Sequence, residues 1–233
     1  MFLKPNDPLL KKVAEEIPKN QINSKSTQKI IETMLKVVQP FMVGLAAPQI
    51  GILKRIILVD VKADGKGKVG NLKIYINPKI IWKSKRKEEW YEGCYSTGKI
   101  CGIVSRSTSI TIKAFTMQPR RLPHKLVTEK YTGYVARIFQ HEIDHLNGQV
   151  FINHIKNPAN LHWVEKKEFP LYRNKEAWRN WPKKGIIRKS ESSFFVLNLH
   201  VKYRQSTISP NYRRDAEVLS GLYHVCYCLP GST

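Results

Sequence analysis

The order of its secondary-structure patterns predicts an α+β fold for this chain of 233 residues. Short runs rich in β-branched and aromatic residues come first, and the clearest, TSITIKAFT (108–116), alternates apolar and polar side chains. A helical pattern follows at about 134–147, where apolar residues recur every three or four positions. Strands followed by one helix favour sheets that pack around that helix. We therefore expect mixed or antiparallel β-sheets around a central helix, with an N-terminal helix before them and a long C-terminal extension after them.

The N-terminal helix is predicted at 24–39. Its apolar residues recur at helical spacing, Ser24 or Ser26 can cap its start, and Pro40 ends it. The segment VGLAAPQIG (43–51) follows, and its small residues suit a loop or edge strand where the backbone approaches another group closely.

Strand patterns fill most of the stretch before the central helix. RIILVDV (55–61) predicts a buried strand, and a turn at ADGKGKVG separates it from two more strand candidates, LKIYINP (72–78) and KIIWKS (79–84). EEWYEGCYS (88–96) then leads into GKICGIVSR. The central helix has its apolar residues on or near one face, and Gly148 marks its C-terminal end.

The pattern weakens after about residue 152, which divides the chain into three parts. Residues 1–155 form one predicted domain. Residues 156–189 form a basic segment that we expect to be helical, since Leu161 and Val164 are available to pack. Residues 190–233 contain neither a repeat nor a chemical motif, and we leave the order of this extension open.

The composition narrows the class of protein. The net charge is +22, from 40 basic and 18 acidic residues, which fits either a solvated basic surface or attraction to a polyanion such as RNA or the ribosome. The sequence has no apolar run of about 18 residues, so we expect no membrane span, and its N-terminus lacks the apolar core of a signal peptide. The four cysteines do not suggest a disulfide framework. We expect a cytoplasmic protein of bacterial type, and an organelle is not excluded.

The stretch QHEIDH (140–145) carries the strongest chemical pattern. His141 and His145 are one helical turn apart, so both imidazoles can reach one cation, and Glu142 lies next to that face. Two histidine ligands with a carboxylate as general base make up the H-E-x-x-H arrangement of zinc hydrolases. The simpler alternative is an exposed helix with a chance set of polar residues.

A catalytic site of this kind needs a third protein ligand and an open fourth position. The continuation H-x-x-G-x-x-H fails because its last position is Phe151. Glu165, about 20 residues downstream, and Cys94 in EGCYS both remain candidates. Gly93 lets the chain approach closely and Glu92 is available for a local hydrogen bond, which favours Cys94 without excluding Glu165.

Three motifs in this order resemble the signature of the peptide deformylases, which is G-x-G-x-A-A-x-Q, then E-G-C-x-S, then H-E-x-D-H. This chain has MVGLAAPQ (42–49), EGCYS (92–96) and HEIDH (141–145), and the likeness covers about residues 1–155. The resemblance implies Cys94 rather than Glu165 as the third ligand. It also implies a hydrolase that removes the N-terminal formyl group from formylmethionine of nascent polypeptides.

The resemblance implies a role for each motif residue. Cys94, His141 and His145 would hold one divalent metal ion, Fe²⁺ first, with Zn²⁺, Ni²⁺ or Co²⁺ as alternatives. Glu142 would take a proton from water and pass it to the departing amine. The donors to the formyl oxygen would be the side chain of Gln49 and the backbone N–H of Tyr95.

The peptide itself would bind along the first motif. The backbones of Val43, Gly44 and Leu45 would pair with it as with an added strand. The methionine pocket is expected near Val43, Tyr95, Ile138 and His141. Asp144 and Arg106 are expected to form either a pair that supports the helix or a plain surface ion pair.

Four positions depart from the family pattern. Met42 replaces the first glycine of the first motif, Tyr95 stands where leucine is common, Gly98 stands where proline is common, and Cys101 stands where many members have a basic residue. We expect these departures to affect substrate preference and turn geometry.

The expected partners are N-formylmethionyl peptides and nascent chains. The basic C-terminal region suggests contact with the ribosome, while neither a membrane nor specific DNA is expected. The alternative function is an inactive or divergent metallohydrolase-like protein that binds RNA or the ribosome through its basic surface.

Overall fold

The computed structural model of the chain describes residues 1–39, 42–65, 70–117 and 123–163. Within them lie two α-helices, α1 (Lys25–Val37) and α2 (Gly133–Leu146). The strands are β1 (Gly44–Ala46), β2 (Ile56–Asp60), β3 (Leu72–Lys83), β4 (Lys87–Gly93), β5 (Ile100–Ser107), β6 (Ser109–Met117), β7 (Lys125–Thr132) and β8 (Leu161–Trp163). Short 3-10 helices connect several of these elements.

The strands form two antiparallel sheets. One has five strands in the order β1-β2-β3-β6-β7, and the other has three strands in the order β4-β5-β8. The predicted α+β class with antiparallel sheets is confirmed. In the described residues no helix is both long and apolar enough to span a bilayer.

The five-stranded sheet is buried on both faces where the helices cover it. Along β2, Ile57 and Val59 pack in the cluster that contains residues of α2, whereas Ile56 and Leu58 pack in the cluster that contains residues of α1. Successive side chains of a strand point to opposite faces, so a strand between two helices has apolar residues at every position. This explains the unbroken apolar run of β2.

Helix α1 lies within the predicted range and starts at the predicted cap. The hydroxyl of Ser24 accepts a hydrogen bond from the backbone N–H of Thr27 at 3.2 Å, which satisfies one of the free donors of the first turn. Ile31 and Met34 are buried against the sheet.

The prediction of two separate strands at 72–78 and 79–84 is wrong, because β3 runs continuously through both. Asn77 has a φ of 51°, and the pairing of β3 with β6 shifts register just after it. The side chain of Asn77 accepts a hydrogen bond from Ile17 N–H and donates one to the Ile17 carbonyl oxygen. The strand therefore bulges at Asn77-Pro78 instead of ending, since a bulge accommodates a proline that has no N–H to donate.

The structure describes only the start of the predicted helical segment at 156–189. Pro158–Asn160 is a single 3-10 turn, and Leu161–Trp163 is a strand, so the helix predicted there is wrong for these residues. The strand forms because Leu161–Trp163 pairs with Ile100–Gly102 at the edge of the smaller sheet. The rest of 156–189 and the whole of 190–233 lie outside the described residues.

Candidate metal centre

Helix α2 presents His141 and His145 on one face, and the end of β4 brings Cys94 to them. The ring centroids of the two histidines are 5.1 Å apart. The Cys94 Sγ lies 3.2 Å from His145 Nε2, and one candidate ligand atom from each of the three residues lies within 4.8 Å of the others. All three side chains are buried, with 0%, 4% and 1% of the surface exposed for Cys94, His141 and His145.

The spacing of these atoms fits one metal ion. A tetrahedral centre with metal–sulfur and metal–nitrogen bonds of about 2.3 and 2.1 Å separates its sulfur and nitrogen ligands by roughly 3.6 Å. The observed 3.2 Å requires only a small opening of the cluster. One thiolate with two imidazoles is also a donor set that first-row transition metals accept.

The environment of Cys94 favours the thiolate, which is the form that binds metals. Burial alone would raise the pKa of Cys94, but the charge of His145 and hydrogen bonds from both histidines hold that pKa well below its ordinary value. Two further donors point at the sulfur: the side-chain amide of Gln49 at 3.3 Å and the backbone N–H of Ser96 at 3.4 Å.

Glu92 fixes the orientation of His141. The Nδ1 of His141 lies 2.9 Å from Glu92 Oε2, so a proton on Nδ1 is shared with the carboxylate and Nε2 is left for the cluster. Arg106 binds the same carboxylate through two bonds of 2.6 and 2.8 Å, and Arg137 adds one of 2.7 Å. Burial would raise the pKa of Glu92, yet the charge and hydrogen bonds of Arg106 outweigh it and hold that pKa well below its usual range.

Arg106 links this group to the C-terminal half of α2. Its Nη1 donates to Asp144 at 2.7 Å, which is the pairing predicted from the sequence. His154 lies 2.7 Å from the same Asp144 oxygen. Arg137 was missed by the sequence analysis, although it precedes His141 by four residues and so lies on the same face of the helix. That spacing is the signal that could have identified it.

The first motif contacts Glu142 through Gly44 and contains Gln49 at its end. Glu142 is fully buried and adjoins β1, so close that a Cβ added to Gly44 would lie 2.2 Å from Glu142 Oε1. Gln49 is held in a short 3-10 helix, Ala47–Ile50, where its Oε1 accepts the backbone N–H of Ala46 at 2.8 Å. The remaining amide nitrogen of Gln49 therefore faces the Cys94 sulfur.

Comparison with known protein families agrees with this geometry. A family model described as polypeptide deformylase matches residues 1–160. The chain belongs to the peptide deformylase family. Members of that family are metal-dependent hydrolases, and Cys94, His141 and His145 form a candidate metal site. The resemblance inferred from the three motifs is confirmed, and the alternative of an inactive RNA-binding protein is not favoured.

Individual deformylases show the extent of the match. The peptide deformylase of Thermotoga maritima is 38% identical over 168 residues, which span 72% of this chain and 93% of that protein. The chloroplastic peptide deformylase 1A of Solanum lycopersicum is 34% identical over 184 residues, which span 73% of this chain but only 64% of that longer protein.

Solved deformylases also share the fold. The class I type b peptide deformylase of Acinetobacter baumannii with bound Met-Ala-Ser has a TM-score of 0.58 and 31% identity, and the match covers 66% of this chain and 97% of that one. The actinonin-bound form of the same enzyme matches with the same TM-score of 0.58.

The structure accounts for two departures from the deformylase pattern. Gly98 has a φ of 62°, which the fixed ring of a proline cannot adopt, so the turn after the second motif follows a different path from one built on proline. Met42 is buried with residues of α1 and β2, where its side chain fills core volume that a glycine would leave empty. Cys101 is also buried, and it pairs in register with His162 of β8.

Tyr95 packs against the N-terminus of the chain. Its ring stacks on Phe2 with centroids 4.4 Å apart and planes 5° from parallel. Leu3 N–H donates to the Gln49 carbonyl oxygen at 2.9 Å, so this N-terminal segment contacts both the first and the second motif. No sequence pattern marked Phe2 as part of the site.

The remaining predicted residues lie around β1. Val43 and Ile138 belong to the core cluster of α2, and Tyr95 packs against that cluster. Leu45 is buried in the cluster of α1 instead, so its side chain faces away from Val43 and Ile138. β1 is the first strand of its sheet, which leaves one edge of β1 without a strand partner among the described residues.

Proposed function

We propose that this chain hydrolyses the formyl amide at the N-terminus of formylmethionyl peptides and nascent polypeptides, releasing formate and a free amine. The observation that carries this proposal is the convergence of Cys94, His141 and His145 beside the buried carboxylate of Glu142. A metal site closed by four protein ligands would be structural, whereas three ligands with an adjacent carboxylate leave a position for water and a base to act on it.

Cys94, His141 and His145 would hold one divalent ion, Fe²⁺ first, with Zn²⁺, Ni²⁺ or Co²⁺ as alternatives. When bound, such an ion supplies Lewis acidity and lowers the pKa of water from about 16 towards about 7. Glu92 supports this ligand set because its carboxylate holds the Nδ1 proton of His141.

Glu142 is the general base of the proposed reaction. It takes a proton from the attacking water and delivers it to the nitrogen of methionine as the bond to the formyl carbon breaks. A neutral amine and formic acid leave, and the acid then loses its proton to solvent to give formate. Its complete burial excludes bulk water from the carboxylate. A residue in this role contributes roughly 10²- to 10⁴-fold in rate.

Gln49 and the backbone N–H of Tyr95 are the proposed donors to the formyl oxygen as negative charge develops on it. The bond from Ala46 N–H to Gln49 Oε1 fixes which way the amide points, so its N–H group needs no reorganisation during the reaction. Loss of one such donor costs about 3 kcal/mol of transition-state stabilisation.

The substrate peptide would bind along the edge of β1, using the backbones of Val43, Gly44 and Leu45. The methionine side chain would enter a pocket near Val43, Tyr95, Ile138 and His141. The Acinetobacter baumannii relative with bound Met-Ala-Ser supports a peptide that begins with methionine as the ligand.

Two alternatives from the sequence concern residues outside the described part of the chain. Glu165 as third ligand predicts that Cys94→Ser keeps the metal and Glu165→Gln loses it, whereas our assignment predicts the reverse. Contact of the basic C-terminal region with the ribosome, in the cytoplasm, predicts salt-sensitive co-sedimentation that is lost when the residues after about 163 are removed.

The direct test is deformylation of formyl-Met-Ala-Ser by anaerobically prepared protein. Wild type should release formate, and Glu142→Ala should bind the same amount of metal but lose at least about 100-fold in kcat. Equal turnover by both proteins would refute Glu142 as the base. No turnover by metal-loaded wild type would refute the proposed function.

A further inference from the structure

The connection between β3 of the larger sheet and β4 of the smaller sheet carries exposed basic side chains next to an exposed tryptophan. Lys83 ends β3, Lys85 and Arg86 form the turn, and all three side chains are exposed. Trp82, immediately before them, has 49% of its surface exposed. None of the three basic side chains has an ion-pair partner among the described residues.

The neighbouring strands add two more cations beside the tryptophan. Trp82 lies opposite Thr111 of β6, which in turn lies opposite Lys130 of β7. The Nζ of Lys130 is 5.7 Å from the centroid of the Trp82 ring. Lys113 is two residues from Thr111, so it projects from the same face of the sheet, and it is exposed. Lys83 directly follows Trp82 in β3 and pairs with buried Ile110, so its side chain starts from the opposite face of the sheet. The tryptophan patch therefore consists of Trp82, Lys85, Arg86, Lys113 and Lys130.

The chemistry of this patch matches a single nucleic acid strand. Clustered lysine and arginine side chains neutralise consecutive phosphates, and an exposed aromatic ring offers a face on which an unpaired base stacks. Neither feature is explained by the metal centre. Trp82 is one of three large apolar side chains of the five-stranded sheet that are about half exposed, with Ile81 at 54% and Leu126 at 51%, and it is the aromatic one among them.

We propose that the tryptophan patch binds single-stranded RNA, with a base stacked on Trp82 and phosphates on the surrounding cations. The choice of RNA over other polyanions rests on the proposed function, because nascent chains emerge from a particle built largely of RNA. The patch adds to the proposed hydrolase activity and does not replace it.

The patch and the metal centre are far enough apart to be occupied together. β4 runs from Lys87, beside the patch, to Gly93, beside Cys94. Six steps at about 3.3 Å per residue place the two ends roughly 20 Å apart. Bound RNA would therefore leave the edge of β1 open to a peptide.

The test is fluorescence anisotropy of a labelled oligouridylate of about 12 nucleotides with the full chain, titrated between about 50 and 200 mM salt. Lys113→Gln/Lys130→Gln removes two cations from the patch. Lys12→Gln/Lys156→Gln is the matched control, because it removes two exposed cations elsewhere. Lys12 lies near the C-terminal end of α2, whereas the patch lies near its N-terminal end.

The patch variant should bind roughly tenfold more weakly, and its slope of log affinity against log salt should fall by about 1.4, since each phosphate contact to a single strand contributes about 0.7. The control variant should keep both the affinity and the slope closer to wild type. Trp82→Ala should weaken binding about tenfold at unchanged slope, and Trp82→Phe should retain most of it, because phenylalanine keeps a stacking face.

Three results would overturn the proposal: no RNA binding by wild type, equal losses in patch and control variants, or binding to phosphatidylserine vesicles without binding to RNA. Turnover of formyl-Met-Ala-Ser by the same variants distinguishes failure of the RNA-binding proposal from failure of the proposed hydrolase function. The patch variants should keep wild-type turnover, so a failure of RNA binding with activity intact refutes only the tryptophan patch.

Discussion

Gly44 and Glu142 are so close that a single methyl group does not fit between them. A Cβ built on Gly44 would lie 2.2 Å from Glu142 Oε1 and 2.8 Å from its Cδ. Glycine at position 44 is thus required by the position of the carboxylate, in addition to any pairing of its backbone with substrate.

Gly44→Ala should therefore displace the proposed base. We expect kcat on formyl-Met-Ala-Ser to fall by about 100-fold or more, because a general base acts only within hydrogen-bond reach of its proton. Metal content should stay at the wild-type level, since the three atoms nearest to that Cβ all belong to Glu142 and to none of the proposed ligands. A rise in KM with unchanged kcat would show that Gly44 only binds substrate.

Glu92 is predicted to support both the fold and the metal. Glu92→Gln removes the charge that faces buried Arg106 and Arg137, and breaking a buried ion pair in this way costs about 3–5 kcal/mol of unfolding free energy. It also replaces the carboxylate that holds the His141 Nδ1 proton by a neutral amide, so metal affinity should fall by about 10- to 100-fold. Denaturant unfolding and metal competition assays measure the two effects.

The control for Glu92 is the same substitution at an exposed pair. Glu15 contacts Lys54 at 2.7 Å with 74% of its side-chain surface exposed. Glu15→Gln should leave both the unfolding free energy and the metal affinity close to wild type, because solvent screens exposed pairs. Equal effects of the two substitutions would contradict the assigned role of Glu92.

The Phe2–Tyr95 stack should affect the position of the second motif. Phe2→Ala should weaken turnover, because the Tyr95 ring loses a stacked partner worth about 0.5–1.5 kcal/mol. In a Tyr95→Leu background Phe2→Ala should have a smaller effect on turnover. Phe2→Tyr, which keeps an aromatic ring at position 2, should have turnover close to that of wild type. Additive effects in this double-mutant cycle would show that the two rings act independently.

The three motifs predict the ligand set and the base, and the order of the strand and helix patterns predicts the α+β class with mixed or antiparallel sheets. Two kinds of feature could not be predicted. The bulge at Asn77 depends on its side-chain bonds to Ile17, which is 60 residues away in sequence. Arg106 and Arg137 both bind the carboxylate of Glu92, and this depends on how β4, β5 and α2 pack. No local sequence pattern contains that information.

Replacing Gly98 by proline, which is common at this position in the family, should destabilise the protein or change the turn. Gly98→Pro cannot reach the observed φ of 62°, so it should destabilise the protein by more than about 1 kcal/mol or shift the turn that follows Cys94. Tyr95→Leu, which restores the other common residue of this motif, should be tolerated in thermal unfolding. A Gly98→Pro variant with wild-type melting temperature and metal affinity would contradict the turn geometry.

His124 should make stability depend on pH. It is buried, its Nδ1 lies 3.1 Å from Asn23 Oδ1, and burial lowers its pKa below the ordinary value. The unfolded chain therefore takes up a proton at a higher pH than the folded chain does. The stability that comes from neutral His124 is fully present above about pH 6.5 and is lost as pH falls through the lower pKa of the folded state.

His124→Gln removes this titration and retains a side chain that can donate to Asn23. Between about pH 7.5 and pH 5.5 its melting temperature should fall less than that of wild type. Metal that dissociates from His141 and His145 at low pH is lost from wild type and from His124→Gln alike. Its effect therefore cancels when the melting temperatures of the two proteins are subtracted. Burial also lowers the pKa of His162, so His124→Gln/His162→Gln should flatten the profile further. If wild type and His124→Gln lose stability in parallel, the proton is taken up elsewhere and the assignment to His124 is wrong.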